Sequence, residues 1–171
     1  MIRFSIREQV LNFALMMLVQ IPLLYDLHIG DSAFSFFYVG FLLFLPTVLS
    51  RSYSMIIAFF CGLCIDTFSN TPGIHASACV LLMYVRDNWL FFIVDRSDDL
   101  VSVNVNELGL LKSIYFLFPL IILHHVTIFI IENGGLTQFV NLLARIFYSS
   151  LFTWSMVCIL NFVISIKSKK L

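Results

Sequence analysis

Long apolar runs recur along the chain, separated by short clusters of charged and turn-forming residues. A helix needs roughly 20 mostly apolar residues to cross a bilayer. On this criterion the pattern predicts six transmembrane helices, at approximately residues 10–25, 34–49, 53–68, 74–94, 110–131 and 147–166. Several runs are short, and Pro22, Pro46 and Pro119 lie in or near them, where proline removes a backbone donor. We therefore expect an all-α integral membrane protein, a six-helix bundle forming one polytopic domain over residues 1–171.

The composition agrees with this prediction. Of the 171 residues, 60% are hydrophobic and 12% are charged, whereas soluble domains average about 45–50% apolar and about 25% charged residues. Six helices leave no room for a soluble catalytic domain. The 10 basic and 10 acidic residues cancel, which argues against a nucleic-acid partner, because that partner requires a concentrated basic surface. The four cysteines lie in apolar runs and indicate no disulfide framework.

The basic residues predict the orientation, because lysine and arginine are enriched on the cytoplasmic side of membrane proteins. In the six-helix arrangement nine of the ten fall on one side: Arg3, Arg7, Arg51, Arg86, Arg96, Lys112, Lys167, Lys169 and Lys170. Only Arg145 falls on the other. Both termini are therefore predicted to be cytoplasmic, with an uncleaved first helix. The acidic segment at 95–107 is then a cytoplasmic loop, for which the sequence indicates no role.

Asp66 is the most informative residue, because an acid at the end of an apolar helix normally needs a partner or a wet cavity. It either has a structural role, such as capping the following turn or bonding a neighbouring helix, or contacts a partner or ligand. Gly62 lies on the same helix face and permits a close helix contact. The following turn formers, from Ser69 to Pro72 and Gly73, predict a sharp reversal before His75 begins the next helix.

His124 and His125 are adjacent in the fifth predicted helix. Their side chains point about 100° apart, so they cannot chelate one ion as an i, i+4 pair does. Interhelical hydrogen bonding is the commoner role of such residues, and a functional site is the alternative. We consider Gln20 and Glu132 as possible partners.

Further along the chain, Arg86 is predicted to snorkel to the cytoplasmic face or to pair with Asp87 or a loop acid. The Gly134–Gly135 pair predicts the end of the fifth helix, and residues 136–145 are a candidate interfacial helix. Cys61 and Cys64 have CxxC spacing, but zinc and thioredoxin-like sites need a further context that the sequence lacks. Nucleophile and phosphate-binding motifs are also missing, which favours a protein that is not an enzyme and uses no cofactor or metal.

The stretch from Gly62 to Ala76 resembles the central motif of the rod shape-determining protein MreD family: a glycine, an acid four residues later, a Ser/Gly/Pro turn, and Gly-x-His-Ala. Here Pro72 and Gly73 are adjacent, whereas the family usually has a residue between them. Other features that resemble the family are Gln20, Pro46 near Arg51, Tyr84-Val-Arg86 and the His124-His125 pair.

This resemblance implies a scaffold of the bacterial cell-wall elongation machinery, needed for rod shape and located in the bacterial inner (cytoplasmic) membrane. The implied partners are MreC, the peptidoglycan synthase RodA with its transpeptidase, and the actin-like MreB. The resemblance also implies a fold similar to the six-helix substrate-binding subunits of energy-coupling-factor transporters.

Three functions remain open from the sequence. A non-catalytic scaffold is favoured by the motif and the minimal loops. A vitamin-type small-molecule binding subunit of a transporter is the alternative, because Asp66, His75, His124 and His125 are polar groups in apolar surroundings. An intramembrane enzyme using the same residues is the third and least favoured.

Overall fold

The computed structural model describes residues 13–14, 20, 28–29, 33–94 and 108–168. Within them lie two short strands, β1 (His28–Ile29) and β2 (Ala33–Phe34), and five helices: α1 (Val39–Leu43), α2 (Arg51–Ser69), α3 (Ile74–Ile93), α4 (Leu110–Glu132) and α5 (Phe139–Ser168). The acidic loop at 95–107 and most of the first predicted helix, including Pro22, lie outside the described residues, as do the two chain ends.

Four helices in the described part, α2 to α5, are long and apolar enough to cross a membrane. This confirms the predicted helical fold with several helices able to span a membrane. Short turns join α2 to α3 and α4 to α5, so these neighbours are antiparallel. Cys79 of α3 meets His124 of α4, and Trp89 donates to the carbonyl of Tyr115, so α3 and α4 are antiparallel too. The helix α4 continues through Pro119.

The prediction for residues 34–49 is wrong, because they do not form a helix of membrane-spanning length. Residues 33–34 form β2, residues 35–36 have no regular structure, α1 has only 5 residues, and turns follow as far as Ser50. We call residues 34–45 the buried segment: all 5 residues of α1 are buried, and so are Ser35, Tyr38 and Leu45. Irregular backbone is tolerated at membrane depth where protein surrounds it.

Side chains from other elements replace the missing helical hydrogen bonds of the buried segment. The N–H of Phe34 donates to Ser149 Oγ (2.9 Å), and that of Phe36 donates to Thr153 Oγ1 (3.0 Å). Gln20 accepts from the N–H of Tyr38 (3.3 Å) and donates to the carbonyl oxygen of Ser35 (3.0 Å). These bonds lower the cost of desolvating an extended backbone, so this apolar run does not need to be a helix.

The end of α4 and the start of α5 both depend on where glycine occurs in the sequence. The helix α4 ends at Glu132, before Gly134 (φ 67°) and Gly135 (φ 124°), which confirms the predicted break. The separate interfacial helix predicted at 136–145 is not found: one helix, α5, begins at Phe139 and continues for 30 residues. No glycine or proline interrupts it, and Leu142 packs in a buried cluster with α4, so its first turns are already part of the bundle.

Candidate functional site

The carboxylate of Asp66 organises the turn between α2 and α3. Its Oδ1 accepts from the Thr71 hydroxyl (3.0 Å) and from the N–H of His75 (2.9 Å). Its Oδ2 accepts from the N–H groups of Gly73 (3.1 Å) and Ala76 (3.0 Å). A buried carboxylate therefore caps the start of α3, where the free N–H groups and the helix dipole favour negative charge. This is one of the two roles that the sequence allowed for Asp66.

The backbone of the turn suits its sequence. The N–H groups of Asn70 and Thr71 both donate to the carbonyl oxygen of Asp66, and Asn70 adopts the left-handed conformation (φ 54°) that asparagine tolerates. Gly73 has a φ of 85°, which favours glycine. Ser69 is the last residue of α2, and Pro72 is exposed in the turn. The Ser69–Gly73 cluster thus forms the predicted sharp reversal.

Gly62 allows α2 and α3 to touch through their backbones. A Cβ atom at this position would lie 2.6 Å from the amide nitrogen of Ala76 and 2.6 Å from the carbonyl oxygen of His75. Both are backbone atoms, so they cannot swing away as a flexible side chain can. The predicted close helix contact is confirmed, and it lies against the same residues that Asp66 caps.

A buried cluster of polar rings lies behind the turn. The hydroxyl of Tyr38 is 2.7 Å from His75 Nδ1 and 3.1 Å from His124 Nε2, and the Cys79 Sγ is 3.9 Å from the same His124 nitrogen. The ring of Phe36 packs against the imidazoles of His75 and His124, with centroids 5.2 and 5.9 Å away. A tyrosine hydroxyl has one proton, so at least one of the two histidines donates to its oxygen.

His125 belongs to a separate chain of hydrogen bonds. Its Nδ1 is 2.8 Å from the carbonyl oxygen of Ile121, one turn earlier, and its Nε2 is 3.2 Å from Thr153 Oγ1. Since a carbonyl only accepts, Nδ1 carries the proton and Nε2 accepts from the threonine hydroxyl. That hydroxyl also accepts from the N–H of Phe36. His125 thereby helps to hold α5 and the buried segment together.

The partners proposed for the histidines are wrong. Gln20 bonds the backbone of the buried segment, and Glu132 pairs with Arg145 at 3.2 Å near the turn between α4 and α5. The histidines instead use a tyrosine, a threonine and a carbonyl, because these groups are closer within the bundle. Glu132 lies at the end of α4, about two turns from His125.

Arg86 does not snorkel to the surface. It is 0% exposed, and its Nε and Nη2 lie 2.9 and 2.8 Å from the carboxylate of Asp87, so the predicted pairing with Asp87 is confirmed. Its Nη1 donates to the carbonyl oxygens of Leu42 (3.1 Å) and Leu45 (2.9 Å). The guanidinium stays inside because the last turn of α1 and the turn that follows it present these two carbonyls to it.

Among the described residues, no three His, Cys, Asp or Glu side chains are grouped so that they could hold a metal ion. Cys61 is buried and Cys64 is exposed, so the two cysteines of the CxxC spacing face different surroundings. Sequence reasoning missed Tyr38, Ser149 and Thr153. The hydroxyls of the last two lie one turn apart on α5, and this i, i+4 spacing of hydroxyl residues is the signal that could have found them.

These contacts connect the Asp66 turn, the buried segment and the middle of α4 and α5. The side chains that carry the contacts bond one another and the backbone, and such networks fix one packing arrangement. Comparisons of this chain with protein-family models, with curated proteins and with solved structures find no match.

Proposed function

We propose that this protein is a non-catalytic membrane scaffold of the MreD type, which binds MreC and the peptidoglycan synthase complex in the bacterial cytoplasmic membrane. The observation that carries the proposal is the bonding of Asp66. Asp66 is 3% exposed, and its carboxylate accepts four hydrogen bonds from its own turn. In the segment that resembles the family motif, the acid therefore serves to shape the turn rather than to transfer protons.

Four residues of the proposed motif together shape the turn between α2 and α3. Gly62 lets α3 approach, Asp66 caps it, Gly73 makes the turn, and His75 bonds Tyr38 behind it. A turn held this firmly presents a constant shape at the membrane surface. A scaffold needs such a surface because a partner then loses little ordering entropy when it binds.

The proposal includes six crossings with both termini in the cytoplasm. The buried segment starts beside Ser149 and Thr153 of α5 and ends beside Arg86 of α3, so it supports a crossing through the interior. With α2 to α5 this makes five crossings, and the apolar run at 10–25 supplies a sixth. Arg145 remains the one basic residue on the opposite side, where Glu132 pairs with it.

The transport-subunit alternative would place a ligand among His75, His124 and His125. The ring of Phe36 already lies there, with centroids 5.0–5.9 Å from all three imidazoles. A ligand would have to displace this ring and the hydroxyl of Tyr38. This filled interior favours the scaffold over the binding subunit.

Co-expression with MreC from the same organism tests the proposal. We expect tagged protein purified in mild detergent to recover MreC, and native mass spectrometry to show a complex of the two chains. A D66N variant should lose the complex, while E132Q, an acid-to-amide change at an exposed ion pair, should keep it. Purified protein that binds no MreC and retains a tightly held small molecule other than a phospholipid would support the transport subunit instead.

A further inference from the structure

A groove of about 510 Å³ lies between α2 and α3 on the outer surface of the bundle. Its lining is apolar, with Met55 and Phe59 on one wall and Ala76, Val80 and Tyr84 on the other. A membrane protein meets lipid on this surface, so an apolar groove here needs no shielding from water. Its shape and its ends indicate what occupies it.

A basic residue lies at one end of the groove. Arg51 is four residues before Met55 and eight before Phe59, so the three share one face of α2. On the other wall, Asn88 follows Tyr84 by four residues. The guanidinium of Arg51 bonds Asn88 Oδ1 and lies 5.6 Å from the centre of the Tyr84 ring. Both walls therefore lead to the same cation.

Arg51 differs from Arg86 and Arg145 because its hydrogen-bond partner is not an acid. In the described part of the chain, the ion pairs are Arg86 with Asp87 and Arg145 with Glu132. Arg51 has an amide as its partner, which leaves its charge uncompensated and uses only part of its donor set. It is also the first residue of α2, whose first turn contains no acidic side chain and so favours an anion.

We propose that this groove binds one anionic phospholipid, with its phosphate at Arg51 and one acyl chain along Met55 and Phe59. Eight residues of helix from Arg51 to Phe59 cover about 12 Å, close to the roughly 15 Å depth of one hydrocarbon leaflet. Basic pockets between transmembrane helices are known to select anionic headgroups. Tyr53 and Tyr84 are 66% and 51% exposed, and tyrosine concentrates at the headgroup level.

A single phospholipid matches both features of the groove, because its acyl chain fits the apolar walls and its phosphate pairs with the cation. The helix of a protein partner would fit the walls but would leave the charge of Arg51 without a phosphate. The proposal does not depend on MreC, because it concerns lipid that the protein carries in either function.

Native mass spectrometry of the full-length protein, titrated in detergent with phosphatidylglycerol or phosphatidylcholine, tests the site. We expect one tightly bound phosphatidylglycerol, preferred by roughly tenfold or more, because a hydrogen bond to a charged group contributes at that level. R51Q should abolish the preference while keeping weak binding of both lipids. V80F should weaken both lipids, since Val80 lines the groove opposite Phe59.

K112Q is the matched control, because Lys112 is an exposed basic residue at the start of α4, away from the groove. It should bind both lipids as the wild type does. Unchanged preference in R51Q, an equal loss in K112Q, or a protein helix cross-linked in the groove in place of lipid would overturn the proposal. If V80F does not fold, the comparison of R51Q with K112Q decides alone, because both residues lie on the surface.

Discussion

Replacing Asp66 by asparagine keeps the size of the side chain and removes one acceptor oxygen and the charge. The carboxylate accepts four hydrogen bonds, two at each oxygen. In either amide orientation one oxygen becomes an NH₂ group, which faces donors such as the N–H groups of Gly73 and Ala76. Bonds to a charged group contribute about 1.5–3 kcal/mol each, so losing two costs about 3–6 kcal/mol.

Stepwise addition of sodium dodecyl sulfate to protein in dodecyl maltoside measures this loss, with the fluorescence of the two tryptophans as the readout. E132Q is the control, because its ion pair with Arg145 is exposed and contributes at most about 1 kcal/mol. If D66N unfolds at the same detergent fraction as E132Q, the carboxylate does not hold the turn, and the structural argument for the motif fails.

Three further substitutions are tested by the same titration. G62L should unfold at a lower detergent fraction than wild type or fail to fold, because the leucine side chain would collide with the backbone of α3. A stability equal to that of wild type would mean that the α2–α3 contact is not tight. T153V, in which the side chain keeps nearly the same volume, should lower the free energy of unfolding by about 1–3 kcal/mol, because the N–H of Phe36 loses its acceptor. An unchanged free energy would show that this hydrogen bond does not stabilise the fold. R86M should lower the free energy of unfolding by about 3–5 kcal/mol, because Asp87 is then a buried charge without a partner. The double variant R86M/D87L leaves no buried charge and should recover part of that loss. If it does not recover, the pairing of Arg86 with Asp87 is contradicted.

The long helices and the turn between α2 and α3 could be predicted because their determinants are local. Hydrophobic runs of about 20 residues set the helices α3 and α4. The spacing of Gly62 and Asp66 sets the helix contact and the cap. The glycine pair at 134–135 ends α4 because both residues adopt positive φ.

The buried segment could not be predicted because its cause is tertiary. An apolar run of this length is read as a helix, since an extended chain in the membrane normally leaves its N–H groups unpaired. Here Ser149 and Thr153, more than a hundred residues later, supply the acceptors. The same holds for Arg86, whose two carbonyl partners, Leu42 and Leu45, are available because α1 ends at Leu43 and does not continue as a long helix.

We proposed that this protein acts as a scaffold for cell-wall elongation, and depletion of the protein in the organism that encodes it tests this proposal most directly. The measurement is the length-to-width ratio of the cells by phase-contrast microscopy as the protein is lost. We predict that the ratio falls towards one as cells become round, and that a plasmid copy of the wild-type gene restores it. Cells that stay rod-shaped after complete removal of the protein would contradict the account.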